Sequence, residues 1–417
     1  MFLRRGTLGL GVIGFDARAL LSPRGGLVAP PLNVAVIGLG RAGTHRLREF
    51  LDTPGCRVLA VCDPFESRQE VARRRVNKAY GNKDCNTYTD YRDLLRGEDL
   101  AAVVIATPDH WHATMIVAAF RAGVDVYCES PLTLTIDEGR EVARIEKETG
   151  RVLQTGMSWR SDPVVKRLCE LAREGRFGKI RRIRGEVEPG TTFDRIAKKV
   201  PIMPDGFRYD MWLGPAPVAP YHPKRCEGFR WIRDYAGGRM TEQGLAIVDI
   251  AQWALGRDAS GPVSVRGHAE YPKRGLFDNA VRFRVDFRYA DGVELSVATT
   301  AGRHAVTIEG TKGSASYFPH TGRIESELPE LITSLPQSEG HVDDFVESVL
   351  TRNAPVCPPS VGRRSADICH LANIALRLGR ASEKDALEWD PNRGRIEDPL
   401  ARRLARRACR TQFRMKM

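Results

Sequence analysis

The residues with the clearest chemical capacity lie between positions 33 and 63. Asn33–Ile37 is a run rich in Val and Ile that leads into Gly38-Leu39-Gly40-Arg41-Ala42-Gly43, a G-x-G-x-x-G sequence. A helical pattern follows through Leu51. The apolar run Arg57–Asp63 comes next and closes on an acid. Strand, glycine turn, helix, strand and terminal acid, in that order, form a dinucleotide site. Gly38 permits the tight turn, Gly40 lets the backbone approach a pyrophosphate, and Gly43 lets the helix pack close to the strand. The helix start then offers unpaired N–H groups and a positive dipole end to phosphates. Asp63 accepts from ribose hydroxyls and repels a 2′-phosphate, so NAD is the expected cofactor. Arg68 nearby is the one feature that would suit NADP.

The elements that must position these residues alternate regularly. Glu66–Tyr80 reads as a helix, Ala102–Thr107 as a buried strand and Ala113–Ala122 as a helix. Asp125–Cys128 is a strand, Ile136–Thr149 a helix and Val152–Thr155 one more strand. Strands alternating with helices make an α/β, doubly wound parallel sheet, with ligands at the carboxyl ends of its strands. Two such ends stand out: Thr107-Pro108-Asp109-His110-Trp111-His112 and Glu129-Ser130-Pro131. His110 and His112 alone do not make a metal site, because no carboxylate or Cys ligand is placed with them, and no metal is expected.

The pattern changes after residue 156. Pro163–Ala172, Met240–Leu255, His341–Leu350 and Ser365–Leu378 read as helices, and Thr191–Arg233 as an irregular, aromatic-rich loop. Ile180–Val187, Val263–His268, Val281–Tyr289, Glu294–Thr300, Ala305–Glu309 and Ser314–Phe318 read as strands. Runs of strands without intervening helices make an α+β domain with an antiparallel sheet. The expected organisation is an extension at 1–32, a Rossmann domain at 33–152, a second domain at 153–400 and a basic tail at 401–417.

Gly38–Gly43, Asp63, Thr107-Pro108 and Cys128-Glu129-Ser130-Pro131-Leu132 together resemble the Gfo/Idh/MocA oxidoreductases, from about Asn33 to the end of the chain. The likeness looks strongest to a branch with a Thr-Pro-Asp-His-Trp-His loop and a Trp-Leu-Gly-Pro-Ala-Pro segment, Trp212–Pro217 here. The resemblance implies a Rossmann domain followed by a large, mostly antiparallel open sheet. It implies NAD(P)-dependent chemistry on sugars or cyclitols, and a homo-oligomer. It places Gly38, Leu39, Gly40, Arg41, Ala42, Gly43, Asp63, Thr107, Pro108, His110, His112 and Glu129 at the cofactor. It places Arg160, Tyr235, Glu242 and Asp249 at the substrate, with Trp159 and Trp231 as further aromatic candidates.

The catalytic pattern of that family is broken. It calls for a Lys in Glu-Lys-Pro and an Asp-x-x-x-His pair on a helix, so that a base takes the hydroxyl proton while the carbon beneath gives hydride. Here Ser130 holds the Lys position, Ala246 the His position and Glu242 the Asp position. Serine alone is too weak to replace Lys. Three readings are open. An oxidoreductase has moved its base, with Glu242, His112, His110 and Tyr235 as candidates and Ser130 in doubt. Alternatively, a glycosidase or lyase oxidises its sugar transiently and shows no net NADH. The third reading is a non-catalytic protein that binds NAD or a sugar.

Composition sets the remaining bounds. The 417 residues are 42% hydrophobic and 28% charged, as in soluble globular proteins, and no run of eighteen apolar residues can span a bilayer. The net charge is +12, but residues 401–417 carry +7 and residues 1–30 carry +3, so the body is nearly neutral and no nucleic-acid partner is expected. Arg4-Arg5 and the apolar stretch after it weakly resemble a twin-arginine export signal, broken early by Asp16 and Arg18. Nine cysteines at irregular spacing, without a CxxC pair, read as free buried thiols in a reducing compartment. The expected location is cytoplasmic, with export as the alternative.

Overall fold

The computed structural model describes residues 30–194, 201–328 and 340–415. The export-like residues 1–29 lie outside them.

The first domain is a six-stranded parallel sheet of β1 (Leu32–Ile37), β2 (Cys56–Cys62), β3 (Asn86–Tyr88), β4 (Ala102–Ile105), β5 (Asp125–Glu129) and β6 (Leu153–Gly156). The strand order is β3-β2-β1-β4-β5-β6, so successive strands switch from one side of β1 to the other between β3 and β4. In β1, Val34–Ile37 are buried on both faces, as a central parallel strand requires. The helices are α1 (Arg41–Asp52), α2 (Glu66–Tyr80), α3 (Tyr91–Gly97), α4 (Asp109–Arg121) and α5 (Ile136–Thr149). Thr135 and Glu138 close a reciprocal capping box at the start of α5. The short β3 and α3 escape the sequence pattern because neither spans enough residues to show a period. Helix α4 starts four residues before the expected Ala113, so Asp109-His110-Trp111-His112 is its first turn and not a loop.

The second domain carries a nine-stranded sheet ordered β13-β12-β11-β7-β10-β9-β8-β14-β15. Its strands are β7 (Ile180–Val187), β8 (Ser264–Glu270), β9 (Arg282–Arg288), β10 (Glu294–Thr299), β11 (Ala305–Gly310), β12 (Ser314–Phe318), β13 (Arg323–Ser326), β14 (Leu387–Asp390) and β15 (Arg395–Ile396). Only β7 and β10 pair in parallel; the other pairs are antiparallel. The helices are α6 (Pro163–Arg173), α7 (Tyr209–Leu213), α8 (Pro223–Glu227), α9 (Arg239–Glu242), α10 (Gly244–Ala254), α11 (His341–Thr351), α12 (Pro359–Arg377) and α13 (Pro399–Leu404). Helices α10 and α12 bury one face of the sheet, where Ile247, Val248 and Leu371 meet Val285, Leu295 and Val306. The opposite face alternates to charge, as in the Arg182–Glu294 pair across β7 and β10. The expected single helix Met240–Leu255 is two helices, broken at Gln243, whose side chain accepts a bond from Glu188 N.

The chain boundary between domains is not the packing boundary. Val342, Phe345, Val346 and Val349 of α11 join Val34, Val36, Phe50 and Tyr127 in one core, so a late helix completes the first domain. The basic tail also folds back. Phe413 packs edge-on against Trp111, and Arg410 pairs with Asp210 at 2.7 Å. Among the described residues no helix is long and apolar enough to cross a membrane, and all nine cysteines are free. Cys56, Cys226 and Cys409 are only partly buried, unlike the expectation for all nine.

Candidate active site

The glycine loop behaves as its spacing requires. Gly38 has φ +89°, and a Cβ there would lie 2.6 Å from Ala106 O. A Cβ on Gly43 would stand 1.7 Å from Gly38 O, so α1 touches the turn without any side chain between. A Cβ on Gly40 would meet nothing nearer than the Arg68 guanidinium at 4.0 Å, so the space above it is open. No side chain caps α1. Its first N–H groups are left for an anion. This open approach over uncapped N–H groups fits a dinucleotide pyrophosphate.

A cleft of about 230 Å³ lies over this loop. Its floor is Gly38, Gly40, Arg41, Ala42, Asp63, Thr107 and Pro108. Its roof comes from the second domain: Met211, Trp212, Phe229 and Arg230. Leu39 turns into the core and Gly43 packs under the loop, so these two act through backbone. Asp63 is 3% exposed. Its Oδ2 accepts from Leu39 N at 2.7 Å and its Oδ1 from Phe65 N at 2.9 Å. Burial pushes its pKa up, against the pull of Arg68 and of both N–H groups.

The two histidines are turned away from this cleft. His110 is buried, its Nε2 is 3.2 Å from Trp212 O, and its ring lies 5.0 Å from that of Tyr235. Burial holds its pKa well below the usual histidine range. His112 has Nδ1 at 2.8 Å from Pro131 O and Nε2 at 2.9 Å from Thr107 O. Both nitrogens face carbonyls, so the ring ties the end of β4 to the segment after β5. Tyr235 is buried between His110 and Trp212, and its hydroxyl accepts from Arg225 at 3.3 Å.

The expected substrate contacts are occupied by protein partners. Arg160 grips Asp249 through two bonds of 2.8 Å and also bonds Asp258. Trp159 and Ser365 donate to the same Asp249 carboxylate at 2.7 and 2.9 Å. With Asp249 fully buried, this network holds the fold together and leaves no carboxylate oxygen facing a cleft. Glu129, at the end of β5, is pinned by Arg46. Ser130 follows it, joined to Pro131 by a cis peptide, and Ala246 lies buried in the first turn of α10. Glu242 is not buried as a shifted base would need to be. Its side chain is 33% exposed, and it pairs with Arg239 at 2.7 Å and Arg230 at 3.2 Å.

Asp109 is the residue that the sequence reading passed over. It opens α4, directly after Pro108 of the cleft floor, and is 8% exposed. Burial pushes its pKa up to about 6, although the nearby His112 and Arg230 favour the carboxylate; Glu242, a like charge, adds to the rise. It therefore sits one residue beyond the cleft floor, within electrostatic reach of His112, of Arg230 on the cleft roof and of the α9 carboxylate Glu242. The signal in the sequence was present but ambiguous, because an acid at a helix start is also an ordinary response to the helix dipole. Among the described residues no three His, Cys, Asp or Glu side chains converge as metal ligands do.

Comparison with known proteins agrees with this architecture. Residues 32–157 match the Gfo/Idh/MocA family model described as the oxidoreductase family's NAD-binding Rossmann fold, and residues 194–415 match that of its C-terminal alpha/beta domain. The chain is 28% identical over 290 residues to scyllo-inositol 2-dehydrogenase (NAD(+)) of Bacillus subtilis, covering 67% of this chain and 72% of that protein. It is 31% identical over 284 residues to 2,7-anhydro-N-acetylneuraminate hydratase of Mediterraneibacter gnavus, covering 67% of this chain and 65% of that one. The WlbA dehydrogenase of Bordetella pertussis, solved with NADH and UDP-GlcNAcA, shares the fold with a TM-score of 0.64 at 18% identity, over 84% of this chain and 97% of that chain. The glycine loop, the sheet order and both family models place this chain in the Gfo/Idh/MocA family of NAD-binding oxidoreductases.

Proposed function

We propose that the protein is an NAD-dependent oxidoreductase acting on a hydroxyl-bearing carbon of a sugar or cyclitol, with its proton chemistry moved onto Asp109. The observation that carries this reading is the cleft itself, with an open glycine loop and a buried Asp63 on one wall, and with the buried Asp109 directly after Pro108 of its floor. When bound, NAD accepts the hydride. Asp63 receives the ribose hydroxyls and disfavours a 2′-phosphate, so NAD is preferred over NADP. Asp109, ionised above about pH 6, takes the proton of the substrate hydroxyl. Arg230, which lines the cleft, and Glu242, paired with it at 3.2 Å, hold neighbouring hydroxyls. The protein is a homo-oligomer in this reading, with the open face of the nine-stranded sheet as the surface available to a second copy.

The likeness to a hydratase favours one further reading, in which a substrate is oxidised and reduced again within one turnover. The test begins with titration of NAD and NADP, read by tryptophan fluorescence, because Trp111 and Trp212 line the cleft. Sugars and cyclitols are then screened for NADH formation and, separately, for products formed without net NADH. Preferential NAD binding with NADH formation supports the first reading, and product without NADH supports the second. Tight NAD binding with no turnover leaves a binding protein, and no nucleotide binding overturns both catalytic readings.

A further inference from the structure

The molecule has a second, larger cavity of about 420 Å³ that shares no lining residue with the nucleotide cleft. It opens where three parts of the chain meet: the segment 233–237 before α9, the later turns of α12, and the tail from residue 403 to 408. Five guanidinium groups stand on its wall, from Arg233, Arg377, Arg403, Arg406 and Arg407, against one lining carboxylate, Asp234. Among the described residues, only Arg407 of the five has a carboxylate within ion-pair distance. It pairs with Glu138 at 2.6 Å and donates to His110 O, while its Nη1 has no partner. The Arg377 guanidinium lies over the Tyr271 ring at 4.8 Å and donates to Asp278 O at 3.0 Å, which fixes its position on the wall.

Four of the five guanidinium groups have no carboxylate within ion-pair distance among the described residues, so their mutual repulsion is left to solvent and counterions. An arginine fork matches an oxyanion with two parallel hydrogen bonds, so a phosphate group would relieve that repulsion. The interior of the cavity adds a second, independent feature. His370 is 5% exposed, and its Nε2 is held by Thr133 O at 2.9 Å. With that nitrogen donating, Nδ1 is left as an acceptor without a protein partner, beside Asn373 and the apolar Ile374 and Leu134. The cations line a concave pocket and are not spread over a flat face, so the occupant is small.

We infer that this cavity binds a small organic phosphate, its phosphate groups on Arg377, Arg403 and Arg406 and a hydroxyl of its body on His370. The inference is independent of the reaction proposed above. The probe is pyrophosphate, titrated calorimetrically into the full-length protein saturated with NAD, at constant ionic strength, so that the glycine loop is blocked. The expected result is one saturable site of millimolar affinity or tighter, weakened at least tenfold by the double change Arg403→Ala and Arg406→Ala. Both side chains are exposed, and thermal unfolding checks that the variant is folded. Arg377→Gln is the second variant and carries the same expectation. Absence of pyrophosphate binding, or an affinity unchanged in a folded variant, overturns the assignment.

Discussion

The Asp63 carboxylate accepts a hydrogen bond of 2.7 Å from the backbone N–H of Leu39, inside the glycine loop. The acid at the end of β2 therefore has two tasks. It holds the glycine loop in place, and in the proposed reading it also presents an acceptor to a ribose. Asp63→Ala should weaken NAD binding by at least tenfold. It should also destabilise the protein by about 1–3 kcal/mol, because a buried N–H loses its acceptor. Isothermal titration and thermal unfolding measure the two effects separately; unchanged NAD affinity would show that the ribose lies elsewhere.

The three glycines of the loop should separate in the same way. Gly43→Ala forces a Cβ to within 1.7 Å of Gly38 O and should cost about 1–3 kcal/mol or more as overpacking. Gly40→Ala meets open space at φ −71°, which any residue adopts, so its melting temperature should stay close to that of the parent. Its NAD affinity should nevertheless fall at least tenfold, since the methyl group occupies the approach of the pyrophosphate. Equal NAD affinity in Gly40→Ala and the parent would place the phosphates off this loop.

Asp109 should govern the pH dependence of turnover. With a folded pKa of about 6, the carboxylate becomes ionised as pH rises through that value, so kcat/KM should climb and then level. Asp109→Asn should lower kcat by 10²-fold or more, remove that limb and leave NAD affinity intact. Stability should move the other way. The folded pKa lies above the unfolded value of 3.8, so the folded state holds its proton more tightly. Its contribution is present at low pH and is lost as pH rises from about 4 to 6. Above pH 6, Asp109→Asn should therefore be more stable than the parent, by up to about 3 kcal/mol. A pH profile that keeps its limb in the Asn variant would remove Asp109 from the proton step.

The Arg160–Asp249 pair should prove structural. Asp249→Asn removes the charge that balances a buried guanidinium and should cost about 3–5 kcal/mol. Glu242→Gln, at a third-exposed site, should cost little stability and instead raise KM for the substrate. A folded Asp249→Asn protein of normal stability with a raised KM would return Asp249 to the substrate.

Much of the fold can be read along the chain because its signals are local. Helix α2 and helix α5 follow from periodicity and caps, and β7 and β12 from alternation, each within the residues that form it. Helix α4 starts early because Pro108 suits the position before a helix, while the buried His110 and His112 hide its amphipathic period. The break at Gln243 depends on a bond to Glu188, 55 residues away in sequence, which no local pattern records.

The sequence by itself determined the glycine loop, its acid and the two-sheet architecture, since turn geometry, strand burial and helix period are demands on neighbouring residues. The tertiary structure alone decided which polar groups remain free. His112 is spent on two carbonyls, Asp249 on Arg160, Trp159 and Ser365, and Glu129 on Arg46. It also decided that α11 completes the first core, and that the basic tail returns to line a cavity. A side chain's role follows from its burial and its partners, and these are supplied by residues tens to hundreds of positions distant.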